Sequence, residues 1–257
     1  MSEVRVERRH NGAQLAITLA RPAARNAITV AMYAAMADAI EGAASDPAVR
    51  LVTIEGEGVD FTAGNDLADF LRAMPRPGSG EDIPVWRLLR ALALNEVPIV
   101  AAVHGNAVGI GTTLLLHCDL VLAEEGSRFV MPFVDLGLVP EAASSLILPR
   151  LAGRRAAARH LLLGEPFGAE EALRIGVASH LVGKGALAAA LDRLVAAMLD
   201  KPPEAMRQTQ RLLRAVNRDE IVERMNRENG HFAERLQSEE VKNAIAAFFA
   251  ARAKPPA

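Results

Sequence analysis

Two short stretches place glycines where a strand should end. Phe61-Thr-Ala-Gly64-Asn65-Asp66 follows the run Arg50–Glu55, and His104-Gly105-Asn-Ala-Val-Gly109-Ile110-Gly111 follows Pro98-Ile-Val-Ala-Ala-Val103. The second runs on into an apolar segment of helical length ending near Leu116. A strand, a glycine turn and a helix start together aim free backbone N–H groups, and a partial positive charge, at whatever lies above the turn. Such a device holds a phosphate or a developing oxyanion; the plainer alternative is close packing of helix on strand. A phosphate loop needs Gly-x-x-x-x-Gly-Lys-Ser/Thr and a dinucleotide fingerprint needs Gly-x-Gly-x-x-Gly. The chain has Gly-x-x-x-Gly-x-Gly and no lysine there. Two such turns on neighbouring parallel strands, the first with Gly64 just before a residue with a free N–H, could instead aim two N–H groups at one carbonyl oxygen. In such an oxyanion hole each donor is worth roughly 10²–10³ in rate.

Among carboxylates, Glu141 stands in Gly137-Leu-Val-Pro-Glu-Ala-Ala-Ser-Ser145, ahead of an apolar segment. Its plain reading is a first-turn acid complementing the dipole of a helix over 142–152; its sharper reading is a general base. Asp135 shares strand parity with Phe133 and is either a cavity-facing auxiliary acid or a solvated loop acid. Asp66 reads as structural. His104, His117 and Cys118 lack metal-ligand spacing and read as packing residues. His231 and Glu234 read as surface or subunit-contact groups, and no Ser/His/Asp arrangement emerges.

The elements that must position these residues follow from periodicity. Val4–Arg8 and Ala13–Leu19 alternate around His10-Asn-Gly12, a hairpin signal. Met32, Ala35, Met36, Ala39 and Ile40 have helical spacing in a segment that starts near Val30 and closes at Asp46-Pro47. Strands are predicted at 50–55, 98–103, 119–123 and 127–131, with a helix over 83–95. The Pro/Gly/Ser-rich loop at 74–82 resembles a lid. From Glu141 onward helices dominate, at 144–152, 154–163, 169–174, 185–199, 203–216, 219–236 and 238–251. A compositional shift after Lys201-Pro-Pro203 divides a core, 1–200, from a helical region, 201–257, whose amphipathic helices should meet a partner or extend over the site. The tail 254–257 should fray.

Composition narrows the class. With 29 basic and 31 acidic residues and Trp86 and Tyr33 beside eight phenylalanines, the chain has neither the charge nor the aromatic surface for nucleic acid. A single cysteine excludes an internal disulfide and fits a reducing compartment. The N-terminus lacks a signal-peptide core and no apolar stretch reaches membrane-helix length. A cytoplasmic globular protein is expected.

Taken together, Arg21-Pro-x-x-x-Asn26-Ala, Phe61-x-Ala-Gly-x-Asp66, the 98–111 stretch, Cys118-Asp-Leu-Val-Leu-Ala123 and Leu163-x-Gly-Glu-Pro-Phe-x-Ala-x-Glu-Ala172 resemble the crotonase (enoyl-CoA hydratase/isomerase) superfamily. The motifs occur in the family's order over nearly the whole chain. The resemblance implies an α/β fold, a crotonase-like spiral of ββα repeats with a helical C-terminal trimerisation region. It also implies a homotrimer or dimer of trimers, and acyl-CoA thioesters of fatty acid metabolism as substrates, with no cofactor beyond the coenzyme A of the substrate. Carried over by motif, the oxyanion amides are those of Asn65 and Ile110. Coenzyme A is met by Ala63, Gly64, Asn65, Asp66 and Leu67, with Arg25 near its phosphates. Ile110 replaces a usual glycine and must reach the φ/ψ that the position requires.

The family's hydratases carry two glutamates where this chain has Thr113 and Phe133, so both water-activating carboxylates are missing. Thr113, Phe133 and Asp135 are expected to line the substrate pocket. The pattern Ala-Gly-Asn-Asp-Leu, Pro-Phe-x-x-Leu-Gly and Pro-Glu-x-x-Ser-Ser is similar to the peroxisomal-type Δ3,Δ2-enoyl-CoA isomerases. There the glutamate after the proline, here Glu141, is the single base. Its apolar neighbours Phe133, Leu138, Val139 and Leu146 should raise its pKa. The alternatives are an enoyl-CoA hydratase or other acyl-CoA lyase or hydrolase with a non-standard base set, and a non-catalytic acyl-CoA-binding member.

Overall fold

The computed structural model describes residues 3–72 and 83–253. The predicted 74–82 lid and the 254–257 tail lie outside them. The chain opens with an antiparallel hairpin, β1 (Val4–Arg9) and β2 (Gln14–Leu19). His10 and Asn11 turn it with left-handed backbone, φ 52° and 56°. To β2 are added, all parallel, β3 (Leu51–Gly56), β4 (Ile99–Val103), β6 (Leu120–Glu124) and β9 (His180–Val182). A second sheet holds β5 (Asn106–Val108), β7 (Arg128–Val130) and β8 (Phe167–Gly168). Isolated parallel bridges, Thr62 to Ala107 and Ile28 to Asn65, carry that second ladder back toward the N-terminus.

The two ladders make the repeat. After β2, β3, β4 and β6 the chain makes a short passage in the second ladder, at Ile28, at Thr62–Asn65, in β5 and in β7. The first three passages then enter α1 (Val30–Ser45), α2 (Leu67–Arg72) and α4 (Ile110–Thr113). This is the expected α/β spiral of ββα units with helices after it. The predicted strands and most helices lie within a few residues of their expected ends, but β5, β8 and β9 were hidden. They are two or three residues long, too short for periodicity to register.

Burial on both faces explains why the central strands read as unbroken apolar runs. Ile99, Ala101 and Val103 face the main core with α1 and α3 (Pro84–Leu94), while Val100 and Ala102 face Leu191 and Val195 of α8 (Leu187–Leu199). Thr29 caps α1, its hydroxyl accepting from Met32 N at 3.3 Å. The buried face of α1 includes Tyr33 as well as Met32, Met36 and Ile40.

The remaining helices are α5 (Ser144–Ala152), α6 (Arg154–Leu162), α7 (Ala169–Arg174), α9 (Pro203–Ala215), α10 (Arg218–Leu236) and α11 (Glu239–Ala253). The last three return to the body of the fold. From α9, Gln210 Nε2 donates to Asp119 at 2.8 Å, and Arg214 bonds the Leu92 and His117 carbonyls and Asp119. Helix α10 packs on α3 and α5, and α11 on the 134–136 turn. Among the described residues no helix is long and apolar enough to cross a membrane.

The loop between β2 and α1 hangs on one side chain. Asn26, fully buried, accepts from Arg21 N at 2.9 Å and donates to the carbonyls of Glu57 and Asp60, both at 2.8 Å. It fixes two consecutive left-handed residues, Arg25 (φ 51°) and Asn26 (φ 54°), against the turn after β3. Asn26→Ala would leave these buried groups unpaired, at about 1–3 kcal/mol each before relaxation. A loss of about 3 kcal/mol in urea unfolding is expected; a loss below about 1 kcal/mol would refute the anchoring role.

Candidate active site

The two glycine turns stand side by side because β3 and β4 are parallel neighbours. Val108 N donates to Thr62 O at 3.1 Å, and a Cβ on Gly64 would meet Val108 O at 2.7 Å. Gly64 (φ 84°) and Gly109 (φ 56°, ψ −118°) take backbone that a side chain would oppose. Each thereby turns the next amide out of its ladder. In the bridge between Ile28 and Asn65, the hydrogen bonds run from Ile28 N to Gly64 O and from Asp66 N to Ile28 O, so the Asn65 amide is left over. Ile110 begins α4, where the first amides have no partner within the helix. Because Gly109 takes the unusual conformation, Ile110 is helical and its Cβ is tolerated.

Asn65 and Ile110 both line one cavity of about 690 Å³, walled also by Gly64, Gly109, Phe133 and Leu138 among others. At one end lie Ala23–Arg25 and Ala63–Ala68, so all the residues expected to meet a coenzyme are present together. The Arg25 side chain is about two-thirds exposed, with its Nε 3.8 Å from the buried Asp60 carboxylate, while its carbonyl accepts from Ala63 N at 2.9 Å. Asp66 is chiefly structural, pairing with Arg21 at 2.7 Å and accepting from Asp69 N at 3.1 Å. Phe232, Ile245 and Phe249, from α10 and α11, form part of the wall, so the C-terminal helices extend over the site of their own chain.

Four expectations need correction. The apolar segment after Gly111 forms only a four-residue helix and then a 3-10 turn over Leu114–His117, because the chain must reach β6 at Leu120; little macrodipole backs the amides. Thr113 is not in the pocket wall; it is fully buried, and its hydroxyl donates to Glu141 Oε1 at 2.5 Å. Asp135 does line the pocket, but on a 3-10 turn over Val134–Leu136, so strand parity does not apply. It is exposed, with its carboxylate beside Gly164. Glu141 is not a first-turn acid: Ala142 (φ 60°) and Ala143 (φ 53°) are left-handed, and the helix begins only at Ser144. Two such residues in a row cost about 1–2 kcal/mol each.

That turn is held tightly. His117 Nε2–H donates to Ala142 O at 2.8 Å, while Ser144 N and Oγ donate to Glu141 O at 3.0 and 2.6 Å. Burial lowers the His117 imidazole to about 4, so the ring is neutral and the carbonyl fixes its tautomer. Glu141, 6% exposed, lies beneath the wall rather than in it.

A model of the enoyl-CoA hydratase/isomerase family matches residues 9–256. The chain belongs to that family. Members of the family act on acyl-CoA thioesters. A solved enoyl-CoA hydratase/isomerase from Pseudoalteromonas atlantica T6c is 40% identical, each chain fully covered, with a TM-score of 0.90. The 2,3-dehydroadipyl-CoA hydratase of Escherichia coli is 30% identical over 98% of this chain and 97% of that one. The enoyl-CoA delta isomerase 2 of Rattus norvegicus is 32% identical over 93% of this chain and 61% of that one. Both hydratases and isomerases stand among its relatives, and the reaction must be argued from this site.

Two groups at this candidate site carry no motif. Tyr33, buried under it, donates its hydroxyl to Asn65 Oδ1 and so anchors the residue whose amide faces the cavity. Burial, and then the Glu141 charge, raise its phenol well above the ordinary value. The second is Glu228 on α10, also 6% exposed. A buried tyrosine needs a partner for its hydroxyl, which is the signal that could have flagged Tyr33. Nothing local marks Glu228.

Burial pushes the Glu141 carboxyl from 4.5 up to about 7; the Thr113 hydrogen bond opposes the rise and the Glu228 carboxylate adds to it. Between these values the folded chain keeps a proton that the unfolded chain has released, so stability falls as pH rises through the window. At about 1.4 kcal/mol per unit the penalty above pH 7 reaches roughly 3.4 kcal/mol, less whatever the partners of Glu141 lose in the variant. Glu141→Gln should therefore unfold later than the parent by about 2–3 kcal/mol at pH 8, and by far less at pH 5. An equal difference at both pH values in denaturant titrations would contradict this.

Proposed function

We propose that the enzyme is a Δ3,Δ2-enoyl-CoA isomerase in which Glu141 is the single proton shuttle. What supports this reading is one buried carboxyl, raised to about 7 and bonded to Thr113, together with a pocket lined by Asn65 and Ile110, whose amides the backbone ladders leave over. The thioester oxygen of a 3-enoyl-CoA accepts from Asn65 N and Ile110 N. Glu141, ionised, takes a proton from C2; the C2–H pair moves into a C1–C2 double bond and negative charge collects on the oxygen. As the dienolate collapses, the charge returns, the double bond settles between C2 and C3, and Glu141 gives the same proton to C4. One carboxylate serves both steps on one face of the chain, and no water takes part. Phe133, in the wall, helps keep water out. Glu141 reaches the substrate by turning from Thr113, which then no longer opposes its proton affinity. Arg25 and the backbone of Ala63–Leu67 hold the coenzyme A end.

Hydration, the alternative within the family, needs a second group to hold and activate water. Thr113 and Phe133 occupy the places of the family's two glutamates, and Asp135 is exposed at the pocket margin. Glu228 is engaged by Ser145 and is not in the pocket wall. A binding-only role would leave the raised carboxyl of Glu141 without purpose.

The test is to supply 3-enoyl-CoA and 2-enoyl-CoA separately to the parent and to Glu141→Gln. Isomerisation should be present in the parent, fall by about 10³ or more in the variant, and lose kcat/KM below an apparent pKa near 7, because the base must be ionised. Isomerisation that survives in Glu141→Gln, or hydration as the dominant reaction, would overturn the reading.

The region 201–257 completes the site and also, in this reading, the assembly. Leu162, Leu212, Leu213 and Val216 are each at least 70% exposed, and Leu163 nearly so, an apolar surface suited to other copies of the chain. Light scattering should give three or six chain masses; a monomer at micromolar concentration would refute the trimer.

A further inference from the structure

Glu228 does not touch the cavity, yet its contacts gather on the turn that carries Glu141. Its Oε1 accepts from Ser145 N at 3.0 Å and Ser145 Oγ at 2.5 Å, and the Ala143 amide faces the same carboxylate. Arg224, one turn earlier on α10, reaches the same Ser145 hydroxyl at 3.3 Å. Ala143 and Ser145 flank the start of α5, immediately after the left-handed pair Ala142–Ala143. Alanine has no intrinsic taste for that conformation, so contacts from elsewhere must impose it. His117 grips the pair from the core side through Ala142 O. Glu228 grips it from the C-terminal helices.

We propose that Glu228 is a positioning residue for the proton-transfer step: by clamping the Ala142–Ala143 turn it fixes where the Glu141 carboxyl stands beneath the oxyanion amides. The inference rests on Glu141 being the base. A neutral acceptor would satisfy Ser145 equally well, so the choice of a carboxylate needs a reason. Its second oxygen, Oε2, is buried without a hydrogen-bond partner among the described residues, an arrangement that carries a desolvation cost. Burial raises the Glu228 carboxyl as well, while Ser145, the Ala143 amide and Arg224 hold it down; in its ionised form it opposes ionisation of Glu141 and keeps the proton affinity of Glu141 high. The other ionisable groups facing Glu141 exert little competing charge. Tyr33 on α1 and His117 on the 114–117 turn are both neutral, and Arg224 is turned to Ser145 beside Glu228. Phe232, four residues along α10 from Glu228, is in the pocket wall, so one helix touches both the substrate space and the turn of the base.

Three variants separate these roles. Glu228→Ala removes the clamp and should lower kcat for isomerisation about 10–100-fold, the scale of a sub-ångström to ångström displacement, with KM within about threefold. Glu228→Gln keeps an acceptor for Ser145 and removes the charge. It should hold kcat within about fivefold while the acidic limb of the pH profile moves to lower pH. Glu228→Asp should recover the parental limb. If Glu228→Ala proves too unstable to assay, Glu228→Gln carries the test alone. In parallel, the Glu141 carboxyl carbon is titrated by NMR in glutamate-labelled protein and assigned by its loss in Glu141→Gln. Its midpoint should fall in Glu228→Gln. That signal reads the pairing even if the parent turns over no 3-enoyl-CoA, a result that would sink the isomerase reading alone. Unchanged kcat in Glu228→Ala, or an unmoved Glu141 midpoint in Glu228→Gln, overturns the proposal.

Discussion

A backbone amide can act on a ligand only where the chain leaves its own hydrogen-bonding ladder, and a buried chain cannot leave it freely. Gly64 and Gly109 meet this constraint on adjacent parallel strands. Each rotates its peptide through a conformation closed to residues with a side chain, and the amide that follows is released toward the cavity. The register of β3 with β4 fixes the distance between the two releases, so the spacing of the donors belongs to the sheet rather than to any loop. The remaining parts build outward from this pair. Tyr33 holds Asn65 from below, Asn26 ties the preceding loop to the same turn, and Thr62 bridges one turn to the other.

In the proposed isomerase reading, the proton chemistry comes from a different part of the chain and obeys different physics. The amides are useful because they are fixed and neutral. Glu141 is useful because burial makes its charge expensive, and its setting is a turn kept in an unfavourable backbone by contacts on both sides. Thioester activation and proton transfer are therefore separable: one is written in strand register, the other in a few side chains around Thr113, Phe133 and Glu141.

The sequence made some of this legible. Long central strands, the terminal helices and both glycine turns announce themselves through runs, spacing and residue type, and the family's motifs point to Asn65, Ile110 and Glu141 before any coordinates. What was not legible depends on contacts between distant segments. The strands of the second sheet are too short to carry a period, although they join the repeats. Thr113 reads as a pocket residue because motif position does not say that the wall passes above it. Asp135 was assigned a strand face on a segment that is a 3-10 turn. Glu228 lies 87 residues beyond Glu141 on an amphipathic helix and looks like any other charged position there.

Buried groups of the core draw their partners from the end of the chain. Asp119 is met by Gln210 and Arg214, Ser145 by Glu228, and the cavity wall by Phe232 and Ile245. During synthesis the spiral emerges first, with these groups still facing water or one another. Helices α9 to α11 must therefore be made before the cavity has its full wall. A nascent chain that stops short of them presents strands and glycine turns but lacks Phe232, Ile245 and Phe249.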